Sequence, residues 1–211
     1  MKIRTPLAIA GAVVALSVPL AACSSSSGHS NMNGMSGSST SAIPADAKFN
    51  KTDVGFAQGM IPHHAQAVEM ADMALANTTN PDVLALARQI KAAQSPEIEK
   101  MTGWLKSWGQ NVPSTAMGSM AGHDMSGMDG MMMDGMMSQA DMDRLGTSTG
   151  TAFDRLWLEL MVQHHEGAVK MAKNEVAGGK NPDVIALAQS IISGQQAEIA
   201  TMESLIKKLP A

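Results

Sequence analysis

The chain has 211 residues, with 15 Lys and Arg against 19 Asp and Glu and a formal charge of −4. That balance excludes the basic surface on which nucleic-acid binding depends. The single cysteine excludes any intramolecular disulfide, so packing alone must hold the fold.

Residues 1–22 read as a signal segment, with Lys2 and Arg4 as its positive start. The apolar stretch from Leu7 to Leu20 is too short to span a bilayer comfortably. It ends in Leu20-Ala21-Ala22-Cys23, which resembles a bacterial lipobox. Cleavage before Cys23 leaves its thiol to carry lipid, and the loss of Lys2 and Arg4 takes the charge from −4 to −6. The expected location is outside the cytoplasm, anchored by lipid to the outer face of the cytoplasmic membrane or on its periplasmic side. Residues 23–48 are rich in Ser, Gly, Asn and Met, bury too little to fold, and read as a disordered tether.

Residues 50–77 carry Val54, Met60, Ile61, Ala67, Val68, Ala71 and Leu75 at helical spacing. Asn80-Pro81-Asp82 is a turn and helix start, with Asn80 as cap and Pro81 in the first turn. A second helix continues through Leu86, Ile90, Ile98, Met101 and Leu105 to about Trp108. Pro62 and Pro96 fall inside these helices and are expected to kink them rather than end them. A loop over 111–148 follows. Residues 150–177 then form a helix, Asn181-Pro182-Asp183 a turn, and 183–208 the last helix. No strand pattern is present.

The second pair of helices copies the first. Residues 60–101 and 161–202 align at an offset of 101 without a gap, with 20 of 42 positions identical. One structural unit is therefore written twice. The expected fold is all-α: a four-helix bundle of two repeated hairpins, 49–110 and 149–211, packed about a pseudo-twofold axis.

Two constellations carry chemistry. On a helix, Met60, His63, His64, Ala67, Met70 and Ala71 share one arc of about 120°. Met161, His164, His165, Ala168, Met171 and Ala172 do the same in the second copy. The partner helices offer Gln94, Glu97, Ile98 and Met101, and again Gln195, Glu198, Ile199 and Met202. Repeated imidazole and thioether point to a soft metal, copper first. The second constellation is the loop. Residues 117–142 hold 10 of the 20 methionines, nine of them with His123 in the run Met117, Met120, His123, Met125, Met128, Met131, Met132, Met133, Met136 and Met137. Neutral thioethers bind Cu(I) without competition from protons.

The pattern His63-His64-Ala67-Met70-Ala71, then Asn80-Pro81-Asp82, then Gln94-Glu97-Ile98-Met101, repeated from His164 to Met202, resembles the bacterial DUF305 family. The resemblance covers Phe49 to Leu209. The first copy departs from the second by Ala65 in place of Glu166 and by Pro96 before Glu97. The resemblance implies a ferritin-like four-helix bundle, and some members are implicated in periplasmic copper binding and tolerance.

The reading of the sequence is a lipid-anchored protein, not an enzyme, that binds copper, as Cu(I) first and Cu(II) second, buffers or sequesters the metal or hands it over to a partner the sequence does not name, and contributes to copper tolerance. The alternatives are a ferritin-like metal-dependent oxidase and a scaffold lipoprotein without metal. No Glu-x-x-His motif is present for a di-iron site. Within each doublet, His64 and His165 are expected to bind metal directly with Met60 or Met161. Glu97 and Glu198 are expected to orient His63 and His164. Binding at the doublets should weaken as pH drops through the histidine range near 6.5.

Overall fold

The computed structural model describes residues 42–115 and 134–210. The signal segment, Cys23, most of the tether, and Met117, Met120, His123, Met125, Met128, Met131, Met132 and Met133 lie outside the described residues. Five helices follow in order: α1 Lys51–Asn77, α2 Pro81–Ser107, α3 Gln139–Thr147, α4 Gly150–Gly178 and α5 Pro182–Lys208. No strand occurs among the described residues. None of the helices described is long and apolar enough to cross a membrane.

The caps explain the boundaries. Asn50 accepts from the backbone of Thr52 and Asp53, and Asp53 returns the bond to the Asn50 amide, a capping box at the start of α1. Asn80 and Asn181 cap α2 and α5, each ahead of a proline in the first turn. α1 and α2 continue through Pro62 and Pro96 as expected.

The four long helices form two antiparallel hairpins, α1 with α2 and α4 with α5, joined chiefly by α1 against α4. Burial follows from this arrangement. Fourteen residues of α1 and fourteen of α4 are buried, against seven each of α2 and α5. The inner helices must therefore be apolar or small on most of their circumference, which explains their Gly and Ala content.

The core has two parts. One joins Val54, Phe56, Met60 and Ile61 of α1 to Ala168, Met171 and Ala172 of α4. The other joins Ala67, Met70 and Ala71 of α1 to Phe153, Trp157 and Met161 of α4. α1 and α4 thus run antiparallel and cross between these segments, at the histidine doublets. Trp157 is fully buried and donates its indole N–H to the Met70 carbonyl at 2.7 Å. Trp104 and Trp108 lie at the helix end, where Trp108 stacks on Phe49 at 4.4 Å.

Each hairpin turn is closed by the other copy. The Asp53 carboxylate accepts the backbone N–H of Lys180 at 3.0 Å and of Asn181 at 2.9 Å. Its equivalent, Asp154, accepts from the Thr78 hydroxyl at 2.5 Å and from the Asn80 amide at 3.1 Å. These two aspartates fasten the hairpins together at equivalent points of the repeat.

The connection between the hairpins differs from the expected loop. Residues 139–147 form α3, with Ser138 and Asp141 as a capping box and with Met142 and Leu145 buried. The Ser-x-x-Asp spacing ahead of two apolar residues three apart was the available signal. It was obscured by the surrounding methionine-rich composition.

Candidate metal centre

The crossing of α1 and α4 brings four imidazoles together. His63, His64, His164 and His165 are all fully buried. His63 and His164 are equivalent residues of the two copies, and their ring centroids are 3.8 Å apart. Only residues on the pseudo-twofold axis meet their own equivalents so closely, so this pair marks the axis. His165 lies 6.4 Å from His164, ring to ring.

The second histidine of each doublet faces its own hairpin. His64 Nε2 lies 2.7 Å from Glu97 Oε2, and His165 Nε2 lies 2.8 Å from Glu198 Oε2. This corrects the expected partners, because the carboxylates hold His64 and His165 rather than His63 and His164. Successive side chains diverge by about 100° around a helix. One ring of each doublet therefore turns to the neighbouring copy and the other to the partner helix.

Hydrogen bonding assigns the tautomers. A carbonyl only accepts, so His63 Nε2 donates to the Asp134 carbonyl at 3.2 Å and leaves Nδ1 with its lone pair. The Nε2–H groups of His64 and His165 donate to their carboxylates in the same way. Nδ1 of His63, His64 and His165 and both ring nitrogens of His164 are buried without a hydrogen-bond partner. The Gln94 amide and the Gln195 carbonyl oxygen, also buried, share that condition. A buried polar atom left unsatisfied costs on the order of 1–3 kcal/mol. So many in one layer is unusual for a purely structural core.

Burial also fixes the protonation state. It depresses the His63 pKa from 6.5 to about 3, helped by the neighbouring His64 and His165. Burial and the adjacent His63 hold His164 well below its ordinary value. The expected pH dependence near 6.5 therefore does not apply to this pair, whose lone pairs are free at physiological pH.

Thioethers flank the layer. Met60, Met101 and Met171 lie in one apolar cluster, and Met161, Met202 and Met70 in the other. Each side thus takes two methionines from one copy and one from the other. Among the described residues, no three His, Cys, Asp or Glu side chains gather as a metal-holding set. The donor chemistry of the layer is imidazole nitrogen beside thioether sulfur, which fits a soft ion rather than a hard one.

The end of the methionine-rich segment is seated on this layer. Gln66 donates to the Met137 carbonyl at 3.0 Å and accepts its N–H at 2.7 Å. Met136 is half-buried, whereas Met137 is packed in the core. Met137, which the sequence placed among the loop ligands, thus joins the apolar cluster that also holds Met70, Met161 and Met202. The backbone at Asp134 and Gly135 passes directly over Gly167. A Cβ at Gly167 would collide with the Asp134 carbonyl and come within 2.7 Å of Gly135 Cα. Gly135 itself has φ of 80°, which a side chain would strain. Gln66 and Gly167 are equivalent positions of the repeat, so one copy grips the segment and the other makes room for it. Sequence reasoning did not single out either residue. A glycine inside a long helix, costing about 1 kcal/mol against alanine, was the available signal.

Gly167→Ala is accordingly expected to destabilise the protein by about 1–3 kcal/mol despite its better helix propensity, because overpacking displaces backbone. Thermal melting checks the loss. Faster proteolytic cleavage before Ser138 checks that the segment has lifted from the layer. An unchanged melt would mean that the crossing is loose.

The comparisons agree with this architecture. The family model "Domain of unknown function (DUF305)" matches residues 53–206, and the chain belongs to that family. No curated protein matches. Among solved structures, a candidate secreted DUF305 protein of Streptomyces coelicolor is 35% identical, with a TM-score of 0.66 over 74% of this chain and 93% of its own. A DUF305 fragment from Deinococcus radiodurans is 32% identical, with a TM-score of 0.64 over 76% and 98%. CopM in its Cu(I)-bound form is 32% identical, with a TM-score of 0.59 over 75% and 98%. CopM has also been solved with Cu(II) and with Ag bound.

Proposed function

We propose that this protein is an exported lipoprotein that binds copper through its imidazole–thioether layer and methionine-rich segment, and that it buffers or sequesters the metal outside the cytoplasm. One observation carries the reading: four buried, mutually adjacent imidazoles hold unpartnered ring nitrogens between two groups of thioethers. The similarity to CopM, solved with Cu(I), Cu(II) and Ag, supports the choice of metal. The signal segment and Cys23 support export and a lipid anchor. The role is binding and transfer to a partner, not catalysis. His64, His165, Met60 and Met161 are the first candidates as ligands, with Glu97 and Glu198 fixing the rings.

Metal analysis of the mature protein after exposure to Cu(I), Cu(II), Zn(II) and Fe(II) tests the reading. Copper retention above the others is expected. Replacing the methionines from Met117 to Met136 by leucine should preserve helicity and remove most of the Cu(I) capacity, leaving the share held in the bundle. Retention of no metal in the unmodified protein would favour a scaffold. Consumption of oxygen with Cu(I) or Fe(II) would favour an oxidase.

A further inference from the structure

The two His–Glu pairs are chemically identical but differently enclosed. Glu198 Oε2 meets His165, and its other oxygen accepts from the Gln89 amide of α2 at 3.0 Å. Its side chain is 8% exposed. Glu97 makes the same bond to His64, but its side chain is 22% exposed. The pseudo-twofold that carries Glu198 onto Glu97 carries Gln89 onto Ser190. Ser190 is too short to reach across and donates to the Ala186 carbonyl of its own helix. One pair is therefore clamped from the opposite hairpin and the other is not.

The charges on the two hairpins differ in the same sense. The groove between α1 and α2 is lined by Glu69, Asp72 and Glu99. The equivalent groove between α4 and α5 is lined by Glu166, Lys170 and Lys173. Lys91 pairs with Asp72 and Asp134 with Lys170, while Glu69 and Glu99 make no ion pair among the described residues. The field of the first hairpin thus attracts a cation and that of the second is closer to neutral or repelling.

We infer that the layer has a direction: the His64–Glu97 side is where the soft cation enters and leaves, and the His165–Glu198 side, clamped by Gln89, retains it. This inference rests on the copper-binding reading and adds its polarity. A carboxylate with a free oxygen at partial exposure can swing its histidine partner toward an arriving ion. A carboxylate bonded on both oxygens cannot move without breaking a charge-assisted bond. Gln89 acts here as a positioning residue, through Glu198.

The repeat supplies the test. Gln89→Ser should free the second pair, and Ser190→Gln should clamp the first. Both positions are exposed, so neither change threatens the core. The full mature chain, with 15N-labelled imidazoles, is titrated with Ag(I), a redox-inert soft probe, and the ion is then withdrawn with a soluble thiol. In the unmodified protein the His64 resonances should respond at the lowest Ag(I) and recover first. Loss of a hydrogen bond to a charged group is worth about 1.5–3 kcal/mol, so Gln89→Ser should speed release at His165 by roughly tenfold or more. The double exchange should invert the order of the two sites. An order unaffected by the exchanges, or His165 responding first in the unmodified protein, overturns the inference while leaving the bundle site intact. If no imidazole resonance moves with Ag(I) or Cu(I), the binding reading itself fails.

Discussion

Lowering the pH from 6.5 toward 3 is expected to remove about 5 kcal/mol of stability through His63 alone. The folded chain holds this imidazole neutral down to about 3, whereas the unfolded chain protonates it near 6.5. Between those values the unfolded state binds the extra proton, so stability falls as pH falls. The contribution is complete above 6.5 and lost by the lower bound. His164, depressed for the same reason, adds in the same direction. Chemical denaturation at pH 7, 5 and 4 should show a steep acid slope. The double variant His63→Gln with His164→Gln should flatten it, since an amide does not titrate. Equal slopes in both proteins, or an NMR signature of protonated His63 at pH 5, would sink this account. Such a balance suits a soft-metal layer, because the rings never carry a proton that the ion must displace.

The second large effect concerns Asp53. Asp53→Ala is expected to cost about 3 kcal/mol, since the partly buried backbone N–H groups of Lys180 and Asn181 lose their charged acceptor. For a domain of this size the melting temperature should drop by roughly 6–12 °C. The same corner contains Glu175, whose carboxyl is buried beside Asp53. Burial first, then the bond and charge of Asp53, raise its pKa from 4.5 to about 8. Glu175 is thus a neutral acid near pH 7 that can donate to the Asp53 carboxylate. Its folded pKa is raised, so its contribution is full below 4.5 and lost as pH rises toward about 8. Glu175→Gln keeps a donor without the charge and should stabilise the protein at pH 9 relative to the parent while changing little at pH 4, below the range in which the carboxyl titrates. Thermal melts at the two pH values check both variants. A melt of Asp53→Ala within a degree of the parent would mean that the turn is satisfied by solvent.

Much of this molecule was legible before folding. The exact offset of the repeat gave two equivalent hairpins, and Asn80-Pro81 and Asn181-Pro182 gave their turns to within a residue. The inward face of His, Met, Gln and Glu was also readable, because helical period and identity at equivalent positions selected the same residues. α3 was missed because a nine-residue helix leaves a weak periodic signal inside a methionine-rich segment. The carboxylate partners were assigned to the wrong histidine of each doublet. Spacing along one helix says which residues share a face, but not which neighbour each edge of that face meets.

What the sequence determined by itself is therefore local and periodic: the hairpins, their caps, the donor types, and the existence of a twofold relation between copies. The tertiary structure decided what depends on how α1 crosses α4. It placed His63 against His164 on the axis, left Nδ1 of His63 and both ring nitrogens of His164 unpaired, and drew Asp134 and Met137 across Gly167 and Gln66. It also made the two copies unequal, since Gln89 reaches Glu198 while Ser190 cannot reach Glu97. The physical reason is common to all of these. Helix formation is governed by neighbours a few residues apart, whereas a buried donor's partner, and its protonation, are set by groups that are distant in the chain and brought close only by packing.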